Sequence, residues 1–435
     1  MNNLKHLFGG LFVLVASLAL GVTDALAQTA PPKLDTGDTA WMLTATVLVL
    51  LMTIPGVALF YGGMVRKKNV LGTVMQSFAI TCLATIIWMV IGYSLAFSAG
   101  NALVGDLSKM FLTGLGVNDL SGTIPESVFM VFQMTFAIIT PALIAGSLAD
   151  RVKFSSLMWF VGLWLITVYA PITHWVWGGG FLAKDGVLDF AGGTVVHINA
   201  GIAGLAGAII LGKRNGYGVE NMAPHNLVLS VIGAALLWVG WFGFNAGSAL
   251  AADGSATMAM LVTHISAATA SITWAFLEWR RFGKASLVGI VTGMVAGLAT
   301  ITPASGFVGP VGAFFIGLMA GVLCHFCVEW IKQKIQIDDS LDVFAVHGVG
   351  GALGTLLTAF FAAASLGGMG LAEGTTMGSQ FGVQVIGVLA VLVWSVVVSY
   401  IIIKIVSATV GLRIAEEDEI EGLDLVSHGE RGYDL

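Results

Sequence analysis

Charged side chains are scarce in this 435-residue chain, in which Asp, Glu, Lys and Arg together make up only 10% of the residues. Soluble domains carry roughly 25% charged residues, so the composition excludes an ordinary water-soluble globular domain. Acidic residues outnumber basic ones by 25 to 19, which gives a formal net charge of −6. This balance argues against a nucleic-acid-binding surface.

Cysteine is also rare, with three residues in the whole chain, and so few thiols provide no disulfide framework. The stretch Cys324-His325-Phe326-Cys327 superficially resembles a metal or redox motif. It lies inside an apolar segment, however, and a zinc site would need two further ligands nearby. We therefore expect both cysteines to be small packing residues and predict no metal or cofactor.

Apolar residues and glycine are abundant instead, at 57% hydrophobic residues and 57 glycines. Membrane helices use small residues to approach one another, because lipid supplies no hydrophobic drive for their association. The composition therefore predicts an all-α polytopic membrane protein with about eleven helices, each near the ~20 residues that cross a bilayer. The predicted spans are 40–63, 71–97, 124–149, 155–173, 191–212, 225–250, 257–279, 285–303, 307–331, 343–366 and 380–410.

Basic residues alternate between the loops, which predicts the orientation of the chain in the membrane. The loops after odd-numbered spans contain Arg66, Lys67, Lys68, Arg151, Lys153, Lys213, Arg214, Arg280, Arg281, Lys284, Lys332 and Lys334. The other loops contain only Lys109 and Lys184. Because cytoplasmic loops carry the excess of Lys and Arg, the N-terminus is predicted outside and the C-terminus inside.

The first 27 residues have the pattern of a secretory signal peptide. Lys5 precedes an apolar segment at 7–22, and Ala25-Leu26-Ala27 provides a small-residue cleavage site. The alternative is an additional membrane helix. We expect cleavage before Gln28, which leaves a membrane domain over 28–410 and a cytoplasmic tail over 411–435.

Two histidines, His197 and His347, lie in glycine-rich apolar stretches with matching contexts. An ionisable side chain at membrane depth is costly, and by default it marks a pathway or a proton relay. The two lie on spans five and ten, which run in opposite directions. We therefore predict an inverted five-helix repeat, about 38–212 and 225–366, followed by a long eleventh helix over 380–410.

Alternative explanations exist for these histidines. An interhelical hydrogen bond is the usual role of a membrane histidine, and we expect His264 and His325 either to form one or to line vestibules. Ligation of haem by His197 and His347 is the sharpest rival to a pore role. Small residues at four-residue spacing are expected to press the two helices together; these are Ala200, Gly204, Ala208 and Gly212 on span five and Gly350 and Gly354 on span ten.

Residues just before the histidine helices also suggest functional roles. Asp189 precedes span five, where it can cap the helix or orient a cation, and Asp342 is its expected counterpart before span ten. Trp177, followed by three glycines, ends span four on the external side. Such a ring belongs to the aromatic belt at the membrane surface, or it provides a cation–π recognition site.

With these residues assembled, the chain resembles the Amt/Mep/Rh ammonium transporter family, specifically its bacterial Amt branch. The resemblance runs from about residue 38 to the C-terminus. It rests on 55–63 (PGVALFYGG), 189–200 (DFAGGTVVHINA), 240–248 (GWFGFNAGS), 342–348 (DVFAVHG), 410–413 (VGLR) and 427–430 (SHGE).

The resemblance implies site residues that the bare sequence does not assign. Substrate recruitment would involve Phe132, Phe136, Trp177 and Ser248. Phe136 and Phe244 would form a gate, His197 and His347 would pair along the pore, and Asp189 would support the recruitment site. The resemblance also implies a homotrimer in the inner (plasma) membrane whose cytoplasmic face binds a PII-type signalling protein.

The expected mechanism is ammonium transport without catalysis. Ammonium would be deprotonated near the gate, ammonia would cross the apolar pore, and the proton would travel by the histidine pair or by water. Methylammonium is a possible second substrate on size alone. The alternatives are an electroneutral ammonia gas channel, an ammonium sensor acting through a PII-type protein and, from a different class, a haem-binding redox protein.

Overall fold

The computed structural model describes residues 33–433. The predicted signal peptide, 1–27, and the last two residues of the tail lie outside the described residues. Residues 28–32 also lie outside them. The described residues are mostly helical, and a short hairpin is formed by β1 (Leu120–Ser121) and β2 (Ile124–Pro125). The predicted all-α membrane class is therefore confirmed.

Eleven apolar helices correspond one to one with the predicted spans in the described part of the chain. Ten are long enough to cross a bilayer, and the eighth is a shorter apolar helix. Their bounds are α1 Thr36–Met64, α2 Lys67–Phe97, α3 Glu126–Leu148, α4 Phe154–Lys184, α5 Gly193–Leu211, α6 Leu227–Gly247, α7 Gly254–Phe282, α8 Leu287–Ile301, α9 Pro310–Ile335, α10 Phe344–Phe361 and α11 Met377–Thr409. Two short helices, α12 (Glu416–Glu421) and α13 (Leu423–His428), form the tail.

Polar side chains before the helices determine where several of them begin. Asn226, Asp253 and Ser286 accept hydrogen bonds from the backbone N–H groups three residues ahead, at the starts of α6, α7 and α8. Thr376 forms a reciprocal capping box with Ser379 at the start of α11. Each cap satisfies a donor that the first helical turn leaves unpaired, which matters most where water is excluded.

The helices α5 and α10 lie at the centre of the packing. Helix α5 packs against α3, α10 and α11, while α10 also contacts α8 and α11. Helices α1 and α6 form one flank, and α7, α8 and α9 form a tightly packed group on another side. The two helices that carry the predicted pore histidines are therefore enclosed by other helices.

Several membrane helices are locally irregular near the centre of the molecule. Helix α1 is interrupted at Ile54, whose backbone is extended (φ −121°, ψ 105°), directly before Pro55. Helices α5 and α10 both begin with a wide π-type turn that contains the histidine, over Gly193–Ile198 and Phe344–Gly348. Such turns are rare inside helices and frequently occur at functional sites.

The loops after α1, α3 and α5 meet on one side of the molecule, which we call the tail face because α12 and α13 pack there. Arg214 forms ion pairs with Asp338 at 2.8 Å and with Asp150 at 3.3 Å, and Arg66 also binds Asp150 at 3.2 Å. Glu419 of the tail accepts from the Arg413 guanidinium at 2.6 Å. The loops after α1, α3, α5 and α9 and the tail thus form one polar cluster.

Arg151 lies fully buried inside this cluster and joins three loops. Its guanidinium donates to the carbonyl oxygens of Gly212 (2.8 Å) and Asp338 (2.7 Å) and to the Ser340 hydroxyl (2.6 Å). Burial lowers the pKa of Arg151 to about 10, so the side chain remains charged at neutral pH. A buried charge is tolerated here because fixed carbonyl dipoles replace its water shell.

The substitution Asp338→Asn tests how much this cluster stabilises the fold. Burial alone would raise the pKa of Asp338, but hydrogen bonds and charge from Arg214 outweigh that effect and hold it below the ordinary 3.8. A carboxylate with a lowered pKa stabilises the folded state above its unfolded pKa, and the contribution is lost on acidification. We expect the free energy of unfolding of the variant to be about 2 kcal/mol lower than that of wild type near pH 7.

The measurement is thermal unfolding of wild type and variant in the same detergent from pH 7 downwards. The difference in midpoint should be largest near neutral pH and shrink as the pH falls below 3.8. A difference that is independent of pH would mean that the Arg214–Asp338 ion pair contributes nothing beyond packing.

Candidate functional site

His197 and His347 come together in the centre of the molecule. Their Nδ1 atoms are 3.2 Å apart and their rings are stacked with centroids 5.2 Å apart. Both are buried, with exposed fractions of 1% and 4%. Within the described residues, Nε2 of His197 has no hydrogen-bond partner. The duplicated histidines of the sequence are therefore one contiguous pair in the structure.

Glycines allow the two histidine helices to approach so closely, but they are not the glycines that the spacing indicated. A Cβ on Gly201 would lie 2.3 Å from the backbone nitrogen of Gly348, and a Cβ on Gly351 would lie 2.8 Å from the Cβ of His197. Three of the predicted glycines face elsewhere, since a Cβ on Gly204 would meet Ser147 and a Cβ on Gly350 or Gly354 would meet Thr300. The expected α5–α10 contact is thus wrong for these three glycines.

Asp189 caps α5 with both carboxylate oxygens. It accepts the backbone N–H groups of residues 192–195 at 2.6–3.2 Å, and the Thr194 hydroxyl as well. These donors are the kind that the first turn of a helix leaves unpaired. The carboxylate therefore holds the wide turn that presents His197.

The counterpart of Asp189 before α10 is Asp339, and the expectation of Asp342 is wrong. Asp339 is buried and accepts the N–H of Phe344 at 2.8 Å. Asp342 instead pairs with Lys332 at 2.7 Å. Asp189 and Asp339 both lie eight positions before their histidine, so this equal spacing in the sequence would have identified Asp339 as the counterpart.

Three phenylalanine rings lie next to the histidine pair and form with it a column of aromatic side chains. The ring centroids of Phe136 and Phe244 are 4.3 Å apart, and Phe244 also stacks on His197 at 5.9 Å. Phe132 meets Phe136 edge-on at 5.0 Å. All three phenyl rings are buried.

Trp177 and Ser248 lie at the open end of this column. Trp177 meets Phe136 edge-on with centroids 5.7 Å apart, and its indole N–H donates to the Asp189 carbonyl at 2.9 Å. The Ser248 hydroxyl donates to the Phe244 carbonyl at 2.8 Å. Both residues are half-buried, so each can present part of its surface to a small solute. The structure brings together all the predicted site residues along one column.

A narrow cavity lies against the histidine pair and extends along α1, α3 and α6. Its lining is apolar except for the two imidazoles, the Tyr61 phenol and the Trp241 indole. The Tyr61 hydroxyl donates to the Leu143 carbonyl at 3.3 Å, which turns it away from the lumen. The lumen therefore offers an ion almost no polar group except the imidazoles.

Trp241 is a site residue to which sequence reasoning assigned no role. Its ring stacks on His197 with centroids 5.5 Å apart, and its indole N–H donates to the Thr302 hydroxyl at 2.9 Å. Thr302 in turn donates to the Asn245 amide oxygen at 3.2 Å. The sequence could have indicated this role, because Trp241 and Asn245 lie in the same stretch, 240–248, as the predicted gate residue Phe244.

The remaining intramembrane histidines lie away from this column. His264 is exposed on α7, with its ring 5.3 Å from that of Trp238. His325 is buried, and its Nε2 lies 3.2 Å from the Arg281 guanidinium. The neighbouring Cys324 and Cys327 are free thiols. His264 therefore lies against α6, whereas His325 lies between α7 and α9.

Comparison with known proteins places this geometry in a family. The sequence model of the Ammonium Transporter Family matches residues 40–433. An ammonium transporter of Aquifex aeolicus (strain VF5) is 47% identical over 96% of this chain and 98% of its own length. One of Bacillus subtilis (strain 168) is 47% identical over 91% and 98%.

Solved structures agree with the sequence relatives. A protein described as a sensor Amt protein superposes with a TM-score of 0.85 at 30% identity, over 90% of this chain and 98% of its own. Candida albicans Mep2 superposes with a TM-score of 0.82 at 36% identity, over 88% of both chains. The match extends through the helices that hold the paired histidines and the stacked phenylalanines, and the chain belongs to the ammonium transporter family.

Proposed function

We propose that this protein carries ammonium across the membrane by deprotonating it and conducting ammonia past the histidine pair, with the proton relayed by the pair or by water. The observation that carries the proposal is the buried His197–His347 pair, 3.2 Å apart, in an otherwise apolar lumen. An apolar lumen admits a neutral molecule readily, whereas imidazoles can pass on a proton.

Recruitment is proposed at the open end of the aromatic column, by Trp177, Phe132, Phe136 and Ser248. The faces of aromatic rings attract cations through their quadrupole, and a contact of this kind contributes about 0.5–2 kcal/mol. The Ser248 hydroxyl is both donor and acceptor and can receive an ammonium N–H. Asp189, whose backbone carbonyl accepts from the Trp177 indole, adds negative charge near this site that favours a cation.

Selectivity is proposed to arise at the gate formed by Phe136 and Phe244. Ammonium and potassium are similar in size and charge, so an aromatic site attracts both. Below the gate, an unpaired charge in an apolar lumen would cost many kcal/mol. Ammonium can leave its proton behind and enter as ammonia, whereas potassium has no such route.

The geometry of the histidine pair supports a role in proton transfer. In a hydrogen bond between two Nδ1 atoms, one imidazole donates and the other accepts. This arrangement leaves the outer Nε2 atoms available to a solute or to water, and Nε2 of His197 has no partner among the described residues. A proton can therefore enter at one ring and leave from the other.

The experiment that tests the proposal is current across liposomes that contain the purified protein. An ammonium pulse is expected to give an inward current at least about tenfold larger than an equal potassium pulse, because only ammonium can shed its proton. Internal alkalinisation by ammonia without any current would favour the electroneutral gas channel instead. A potassium current as large as the ammonium current would overturn the selectivity mechanism.

Assembly and regulation remain proposals of the same kind. We propose a homotrimer in the inner membrane, with the tail face cytoplasmic, a cleaved signal peptide over 1–27, and inverted repeats over about 38–212 and 225–366. The tail, 411–435, would contribute to binding a PII-type protein. The structural similarity to a sensor Amt protein favours a sensor as the second candidate function.

A further inference from the structure

A second cavity opens on the tail face, apart from the pore. It is about 440 Å³ in volume, and its walls are the loop after α5 and the end of α9. It shares no lining residue with the cavity beneath the histidines. Lys213, Arg214 and Lys332 line it together with a single acidic residue, Glu220. Nothing in the proposed transport route uses this cavity.

Among the described residues, some of the basic side chains around this cavity form ion pairs with acidic residues, and one does not. Arg214 is held by Asp338 and Asp150, and Lys332 by Asp342. The Glu220 carboxylate, which is largely exposed, lies 3.9 Å from the Arg66 guanidinium.

Lys213 is the exception among these cations. Its ammonium forms no ion pair within residues 33–433, and its one hydrogen bond is to the Gln336 amide oxygen at 3.2 Å. The lining therefore keeps an excess of positive charge at Lys213.

The two walls are held together around this lysine. Tyr217 lies under the Lys213 ammonium, with 5.4 Å from Nζ to the ring centroid, and its hydroxyl donates to the Lys332 carbonyl at 3.2 Å. Tyr217 thus connects the loop after α5 with the end of α9. Tyr217 holds the Lys213 ammonium with its ring and Lys332 only by its backbone, and both lysines line the same cavity.

The geometry points to a binding site for a phosphate-bearing anion in this cavity, held by Lys213 and Lys332 with the side-chain amide of Gln336. Charge-assisted hydrogen bonds to a phosphate are roughly twice as strong as neutral ones. Basic pockets between helices on the cytoplasmic side of membrane proteins commonly receive lipid head groups. The phosphate belongs either to such a head group or to a free soluble anion.

The test compares the full-length protein with Lys213→Gln and Lys332→Gln, using Lys67→Gln as the control. Lys67 is an exposed lysine on the same face that does not line the cavity. One arm measures binding of inorganic phosphate in detergent, with chloride at equal ionic strength as the reference. The other arm counts phosphatidylglycerol molecules retained by native mass spectrometry, with phosphatidylcholine as the reference.

Loss of a charge-assisted contact should weaken binding at least about tenfold in both cavity variants and leave the control unchanged. If this loss occurs with inorganic phosphate, the ligand is a soluble anion. If it occurs only with phosphatidylglycerol, the ligand is a head group. If neither probe separates the cavity variants from Lys67→Gln, the proposal is overturned.

Discussion

Replacing His347 with alanine is expected to reduce the ammonium-driven current by at least about a hundredfold while the protein remains folded. The imidazole of His347 is the hydrogen-bond partner of His197 in an otherwise apolar lumen, at 3.2 Å between Nδ1 atoms. Without it, a proton must cross the gap as an uncompensated charge, and each ~1.4 kcal/mol of added barrier slows transport tenfold. The measurement is liposome current normalised to the amount of reconstituted protein.

His264→Ala provides the matched control, since His264 is also an intramembrane histidine but is exposed on α7 and does not line the lumen. It should retain the wild-type current. His197→Asp is a complementary change, because a fixed carboxylate in the lumen is expected to admit potassium. Wild-type current and selectivity in both pore variants would reduce the histidines to packing residues.

Replacing Gly201 with valine is expected to prevent the two histidine helices from meeting. The first side-chain carbon alone would lie 2.3 Å from the Gly348 nitrogen and 2.4 Å from its Cα. Both neighbours are backbone atoms of another buried helix, so no rotamer change can relieve the overlap. Overpacking in a core typically costs 1–3 kcal/mol, and a backbone collision should exceed about 3 kcal/mol.

The measurement is the yield of monodisperse protein on size exclusion together with its unfolding midpoint. Gly382→Val on α11 is the control, since a Cβ there meets no atom within 4 Å. We expect little or no folded Gly201→Val protein and near-normal behaviour of the control. Equal yields and midpoints would mean that α5 and α10 can separate without loss of the fold.

The membrane helices could be predicted closely because bilayer burial requires long apolar segments. The predicted span 225–250 compares with Leu227–Gly247, and 124–149 with Glu126–Leu148. The predicted span 155–173 was too short, since the continuous helix extends to Val176. Its continuation contains His174 and Trp175, whose polar atoms bond to backbone carbonyls and therefore need no water.

Sequence motifs identified the candidate site residues, but they did not predict which other residues these would contact. Two errors have the same origin, since both assumed that proximity in sequence indicates the partner in space. Asp342 was chosen because it directly precedes span ten, whereas the wide turn of α10 brings the N–H of Phe344 to Asp339. Gly350 and Gly354 fit a helical stripe, yet that stripe faces α8.

By itself, the sequence determined the class of protein, the number and extent of the helices, and the presence of two matched histidines. These follow from composition and periodicity, which depend only on whether a residue prefers lipid or water. The tertiary structure alone decided that the imidazoles meet at 3.2 Å, that Trp241 stacks on one of them, and that Lys213 faces a second cavity. Those contacts depend on which faces of distant helices pack together, and local sequence preferences do not encode that choice.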